Sequence, residues 1–325
     1  MHASVQATGR AFLDGRTSRC STVVSQLNAD RTAQAPGIDA HVHVWDTARL
    51  TYSWLRDAPL LDRPRLPIDL TVETGERVVF VQASADDGAA EAAWVQSLSA
   101  GWPSLAGIVA FAPVEETTLA ETLDELSTLP LVVGVRRLLQ DEEAGFFASK
   151  ELVTGLRMLA DRHIPFDACV RWHQLQELVS TVELVPESSV VLDHLGKPPV
   201  AAGLSSEAGR QWLHALQQLA KLPRVTVKLS GLAPEADPNR DVIEQVVPFL
   251  DAALDVFGAE RCMYGSDWPV SAATPHRLSN RVWRETVASR VSRESDRWYV
   301  LEGTAAAFYS IDASPRPGST AIAHE

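Results

Sequence analysis

The stretch IDAHVHVWD, Ile38 to Asp46, sets two imidazoles one residue apart. On a strand, residues two apart leave the same face, so His41 and His43 point together. A pair of that kind serves as two ligands of a metal ion or as two polar groups over one substrate, and equally as two ring nitrogens satisfied inside a polar core. Further along stand groups able to bind, polarise or move a proton: Gln82, Arg136 with Arg137, Arg171 and His173, Asp193 with His194, Lys228, and Ser266 with Asp267. Two histidines of one strand and a distant carboxylate form a ligand set for zinc with an open position for water, a metal placed to polarise a carbonyl. Without a metal, Asp267 takes the proton of a water attacking an ester carbonyl, while His194 and the arginine stabilise the oxyanion. Both arrangements hydrolyse.

The elements that must hold these groups are legible as short β-branched runs alternating with stretches of helical period. Strands are expected at 37–44, 77–83, 106–112, 131–138, 164–170, 189–194, 224–230 and 261–267. Helices are expected at 89–100, 118–127, 150–163, 206–221 and 241–257, the last carrying Val242, Val246, Val247, Leu250 and Leu254 on one stripe. Eight strands alternating with helices predict a parallel α/β architecture, a closed (β/α)8 TIM barrel. No glycine-rich G-x-G-x-x-G loop follows the first strand, which disfavours a dinucleotide site in an open sheet. The polar groups above fall at or near strand carboxyl ends, the face on which such barrels keep their sites. Lys228, on an otherwise apolar strand, needs a partner if buried. A long first connection from Trp45 to Leu70 leaves the same face and holds Tyr52 and Trp54. His163, His214 and His276 are expected at the surface, His173 is left open, and Cys169 and Cys262 are expected as core thiols.

Composition narrows the partners. The chain has 325 residues, 46% hydrophobic and 22% charged, ordinary for a globular protein. A net charge of −13 argues against nucleic acid, whose phosphates demand clustered Lys and Arg. No apolar run reaches the ~20 residues of a membrane span, and no apolar signal core precedes residue 37. Three distant cysteines favour a reducing, cytoplasmic setting. One domain is expected over 37–311, with a poorly ordered extension at 1–36 and a disordered tail at 312–325. A homo-oligomer stays open.

The segments IDAHVHVWD, TYSWLRDAP, VQAS, GVRRLLQDE, LDHLGKPP, VKLSGL and YGSDWPV come in an order and spacing that resembles the amidohydrolase-2 family, over Ile38 to Tyr309. The resemblance is strongest to its sugar lactonases, of the L-fuconolactonase and L-rhamnono-lactonase type. It implies a distorted (β/α)8 barrel that opens a lactone ring of carbohydrate catabolism by water attack. His41 and His43 would be the first-strand pair, His194 the sixth-strand histidine and Asp267 the residue that handles the water's proton. His41, His43 and Asp267 would be the ligands of one divalent ion, usually zinc, although relatives differ and some work without metal. With Arg136 and Arg137 where a bridging carboxylated lysine would stand, a binuclear centre is not expected. Trp54, Gln82, Arg136, Lys197 and Lys228 would line the lactone site. Three positions depart from the family pattern: Arg137 in place of histidine, Trp172-His173 in place of proline, and Thr304 in place of asparagine. The first two are expected beside the substrate and the third at a helix cap. The competing activities are a metal-dependent decarboxylase, which needs a histidine such as His173 at the end of the fifth strand, and a lactone isomerase. A non-catalytic barrel would have lost the strand-end groups, which are intact here.

Overall fold

A computed structural model describes residues 37–73, 75–143 and 145–317. The expected extension at 1–36 lies outside them, as does Cys20. Eight parallel strands run in the order β1 to β8 around a barrel. They are β1 Ile38–Val42, β2 Arg77–Val81, β3 Leu105–Phe111, β4 Val132–Leu138, β5 Phe166–Cys169, β6 Val190–Leu192, β7 Val225–Leu229 and β8 Cys262–Tyr264. All eight expected runs form strands; most are shorter than the apolar runs that mark them, because the polar strand ends turn out of the sheet into the site.

The connecting helices are α1 Gly88–Leu98, α2 Leu119–Leu126, α3 Lys150–Asp161, α4 Leu175–Glu183, α5 Glu207–Leu219, α6 Val242–Phe257, α7 Asn280–Ser289, α8 Glu294–Trp298 and α9 Thr304–Tyr309. Five begin at a side chain that accepts a free first-turn N–H: Asp87, Ser149, Ser206, Asp241 and Ser279. Each turns its apolar stripe to the sheet; α3 buries Leu152, Val153, Leu156 and Leu159. That helix lies so close to the β3–α2 connection that a Cβ on Gly155 would stand 1.7 Å from the Val114 carbonyl oxygen, so only glycine fits. Among the described residues, no helix is long and apolar enough to cross a membrane.

The carboxyl half of the barrel is built differently from the amino half. At the amino end, Ile38, Val79, Val81 and Met263 pack with Ala305, Ala306 and Tyr309 of α9, which plugs that mouth. The seam between β8 and β1 is made mostly beyond the strand ends. His41 O accepts from Asp267 N at 2.9 Å, Trp268 O accepts from His43 N at 2.8 Å, and the Asp39 carboxylate accepts from Ser266 N at 2.8 Å and His41 N at 3.2 Å. The Trp45–Leu70 connection forms two short 3-10 turns, Ser53–Asp57 and Pro67–Asp69, and folds over this seam.

The tail begins attached rather than loose. Arg77 Nη1 donates to Asp312 O at 2.5 Å, Ser314 N donates to Glu302 at 2.9 Å, and Arg316 donates to the Tyr299 hydroxyl at 2.9 Å. Thr304, expected at a cap, stands at the boundary between the Tyr299–Gly303 turn and α9, and its Oγ1 donates to the Ala259 carbonyl at 3.2 Å, tying α9 to the turn before β8.

Candidate active site

His41 lies inside β1, where the register shifts between Asp39 and Val42, and His43 follows the end of the strand. Their Nε2 atoms meet at 3.1 Å. His43 Nδ1 lies 2.7 Å from the Val81 carbonyl, which can only accept, so His43 carries its proton there and turns an Nε2 lone pair inward. Asp267 comes from the loop after β8 with left-handed backbone, φ 57°. Its Oδ1 stands 3.7 Å from His43 Nε2, 3.9 Å from His194 Nε2 and 4.0 Å from His41 Nε2. Its Oδ2 accepts from Ser271 Oγ at 2.9 Å. Burial alone would raise this carboxyl, but the neighbouring His194 and the Ser271 hydroxyl pull it the other way, and its pKa lies below the usual 3.8, so Asp267 is ionised.

His194 is delivered by an unusual turn. Backbone φ is positive at four successive residues, His194 (54°), Leu195 (54°), Gly196 (69°) and Lys197 (49°). The turn is pinned by Trp212 Nε1 donating to Leu195 O at 2.8 Å. His194 Nδ1 lies 2.9 Å from Ser230 Oγ. The acceptor-only Asp267 carboxylate faces its other nitrogen, which assigns the proton to Nε2 and has the serine donate to Nδ1. Burial lowers this histidine to about 4, so it is a neutral N–H donor at neutral pH. Gly231 lies against the same ring: a Cβ there would be 2.2 Å from Nδ1, and its φ is +61°.

Beneath these groups lies a buried charge network. The Lys228 amine reaches Asp167 Oδ2 at 2.5 Å, Asp193 Oδ1 at 3.1 Å and His41 Nδ1 at 3.2 Å. Tyr309 donates to both oxygens of Asp167, at 2.8 and 2.9 Å. Against the effect of burial, Lys228, His41 and Arg136 hold Asp193 well below the ordinary carboxylate value. Burial and Lys228 together push His41 well below 6.5. Arg136 donates to the Gln82 carbonyl and lies 3.3 Å from Asp193 Oδ2.

Above the network opens a cavity of 340 Å³, within the range of small-molecule sites. His43, His194, Arg136 and Asp267 form its floor; Trp45, Trp54 and Val270 one wall; Gln140, Asp141, Lys197 and Glu235 contribute polar groups elsewhere on its lining. Trp54 is held by its indole N–H to Ala83 O at 2.8 Å. Lys197 donates to the Gln140 side-chain oxygen.

The structure thus brings a ring nitrogen of each of His41, His43 and His194 within 4.0 Å of the Asp267 carboxylate and puts Trp54, Arg136 and Lys197 on the cavity. Two expected lactone ligands are placed otherwise. Gln82 turns its side-chain oxygen back to the Ser84 N–H at 2.6 Å. Lys228 is fully buried below His41, because Asp167 and Asp193 offer it the two carboxylates that a desolvated amine requires. Neither lines the cavity. Of the departures placed beside the substrate, Arg137 turns away to Glu115 at 2.7 Å and Glu142 at 2.5 Å, and His173 is exposed on a 3-10 turn. Reading the sequence singled out Asp193 as a strand-end group, and missed Asp167, Ser230 and Gly231 as supports and Gln140 and Glu235 as lining; the segment VKLSGL contains two of these five.

Two groups of side chains among the described residues could hold a metal ion: His41, His43 and Asp267, and His41, Asp193 and His194. The first fits zinc in its donors and in its 3.1 Å nitrogen pair, since two imidazoles on one ion at 2.0–2.1 Å stand roughly 3.3 Å apart.

Known proteins share this arrangement of chain. The amidohydrolase family profile matches residues 38–311. An L-fucono-1,5-lactonase of Burkholderia multivorans is 33% identical over 301 residues, covering 88% of this chain and 98% of that one. An L-fucono-1,5-lactonase of Burkholderia ambifaria is 31% identical over 284 residues, covering 85% and 96%. A crystal structure of an amidohydrolase from Burkholderia multivorans with bound zinc superimposes with a TM-score of 0.75 at 31% identity, over 86% of this chain and all of that one.

Proposed function

The chain belongs to the amidohydrolase family, and from that premise we propose that it is a lactonase that opens a sugar-acid lactone of the L-fucono- or L-rhamnono-lactone kind. The observation that carries this reading is the ionised Asp267 carboxylate on the cavity floor, with three imidazole nitrogens within 4.0 Å of one oxygen.

A lactone ring lying against Trp54 turns its carbonyl to the floor and its hydroxyls toward Lys197, Gln140 and Glu235. Water attacks the carbonyl carbon and gives its proton to Asp267, the acceptor placed for it. Charge developing on the carbonyl oxygen meets the His194 Nε2–H, a donor already fixed by Ser230. As the ring C–O bond breaks, Asp267 returns the proton to the leaving alkoxide, which yields the open hydroxy acid. His41, His43 and Asp267 would hold a divalent ion, which would supply Lewis acidity toward the carbonyl. The decarboxylase reading loses its support, since His173 is exposed and does not line the cavity.

The experiment is a panel of aldono-1,4- and 1,5-lactones followed by release of acid with a pH indicator. The reading expects one or a few six-carbon lactones turned over with kcat/KM near or above ~10⁴ M⁻¹ s⁻¹. No turnover of any aldonolactone, with turnover of a carboxylated or aromatic lactone instead, overturns it.

A further inference from the structure

The proton arrangement of the first-strand histidine pair is set from both ends. At one end the Val81 carbonyl can only accept, so His43 keeps its proton on Nδ1 and leaves Nε2 bare. At the other end the Lys228 amine can only donate while it serves two carboxylates, so His41 Nδ1 must accept, at 3.2 Å. A neutral imidazole that accepts at Nδ1 carries its proton at Nε2. That proton lies between the two Nε2 atoms, 3.1 Å apart, where His43 offers its lone pair. The chain Lys228 to His41 to His43 to Val81 is therefore complete, every donor meeting an acceptor.

The competing arrangement would put the His41 proton on Nδ1, toward Asp193. Asp193 Oδ1 is 3.4 Å from that nitrogen, longer than an ordinary N–H···O bond, and it already meets the Lys228 amine at 3.1 Å. It would also set two lone pairs against each other at 3.1 Å, which only a cation between them relieves. Arg136 Nη1 does approach His41 Nε2, but at 3.5 Å, the limit of such a contact, and its nearer partner is Asp193 Oδ2 at 3.3 Å.

We propose that Lys228 is a positioning residue that holds His41 as its Nε2–H tautomer, so that the histidine pair is filled by a proton and a metal ion enters only by displacing it. With the His43 lone pair occupied by His41, the carboxylate of Asp267 alone faces the water as a base. The inference rests on the reading of this site as the reacting centre, but neither test uses a lactone, so its failure and that of the lactonase reading are separate results.

Full-length protein labelled with ¹⁵N in its imidazoles and dialysed against a chelator reports the tautomers directly through long-range ¹H–¹⁵N couplings. His41 protonated at Nε2 and His43 at Nδ1 is the expected pattern, with His41 changing to Nδ1–H when zinc is added. His41 at Nδ1–H in the metal-free protein overturns the proposal. The second arm measures zinc affinity by chelator competition in the wild type and in the double variant Asp167→Asn/Lys228→Met, which removes both charges of the buried pair. Affinity tightened at least tenfold is expected, because outer partners of a ligand histidine commonly change affinity by about 10- to 100-fold. Unchanged or weaker zinc binding in the folded variant overturns it, and the labelled wild type decides alone if the variant does not fold.

Discussion

Replacing Glu91 by glutamine separates what the barrel's stability owes to a buried acid from what the cavity owes to its wall. Glu91 is fully buried on α1, and its carboxylate accepts the Ala83 N–H at 3.1 Å. The Ala83 carbonyl in turn holds the Trp54 indole at 2.8 Å. Burial raises the Glu91 pKa from 4.5 to about 7. A carboxyl raised in this way is held as the acid by the native state. Its contribution is complete below the unfolded value of 4.5 and is lost as pH rises through about 7. The shift, 7 − 4.5 = 2.5, at about 1.36 kcal/mol each corresponds to roughly 3 kcal/mol. Glutamine keeps an oxygen for Ala83 and does not titrate. Urea unfolding of both proteins at acid and mildly alkaline pH gives the difference directly, since every other titrating group is common to the two. Wild type is expected to lose about 3 kcal/mol relative to Glu91→Gln between pH 4.5 and pH 8.5, while KM stays within about twofold because the Trp54 wall is kept. Parallel pH dependences would refute the buried acid, and a large rise in KM would refute the wall.

Other outcomes follow from the same geometry. Asp267→Asn should lower kcat by about 10²- to 10⁴-fold with an unchanged thermal midpoint, and near-wild-type turnover would remove Asp267 from the reaction. Since Asp267 is held below 3.8 and His194 at about 4, kcat/KM should stay level as pH falls from 8 to about 5; a limb near neutrality would contradict both assignments. Trp54→Ala should raise KM about 3- to 10-fold with little change in kcat, as expected for a stacking wall worth ~1 kcal/mol. Gly231→Ala would drive a methyl group into the His194 ring at 2.2 Å from left-handed backbone; kcat should fall at least about tenfold with a lower melting temperature, and a silent substitution would show that the ring has room.

The strands were legible because a parallel sheet buried on both faces needs continuous β-branched runs, and VVF, GIV, LVV and VVL are such runs. Four site residues were legible for a related reason: a polar group at the end of an apolar run has few structural uses. What stayed hidden depends on where a side chain turns. Gln82 follows β2 in the same way that His43 follows β1, yet its amide folds back onto Ser84 N, a choice made by local backbone. Lys228 is marked by sequence as a group in need of a partner. Its partners sit on β5 and beside β6, 61 and 35 residues away in the chain, and no local pattern joins them. Glu235 and Gln140 reach the cavity from loops whose course is set by packing rather than period.

The left-handed turn at His194–Lys197 has a bearing on how this enzyme can change over generations. Each non-glycine residue in that conformation costs about 1–2 kcal/mol, and three of the four are not glycine. Leu195 is fully buried, so the glycine or asparagine that would relax the backbone would also open a hole in the core. Drift at this turn is therefore blocked in both directions, toward comfort by the lost packing and toward bulk by Leu175, which a Cβ on Gly196 would meet at 2.7 Å. New substrate preferences have an easier road at Gln140, Asp141 and Glu235, side chains on the cavity lining outside the turn. A lineage diversifying from this chain should change those residues first and leave the histidine turn as an heirloom of the reaction.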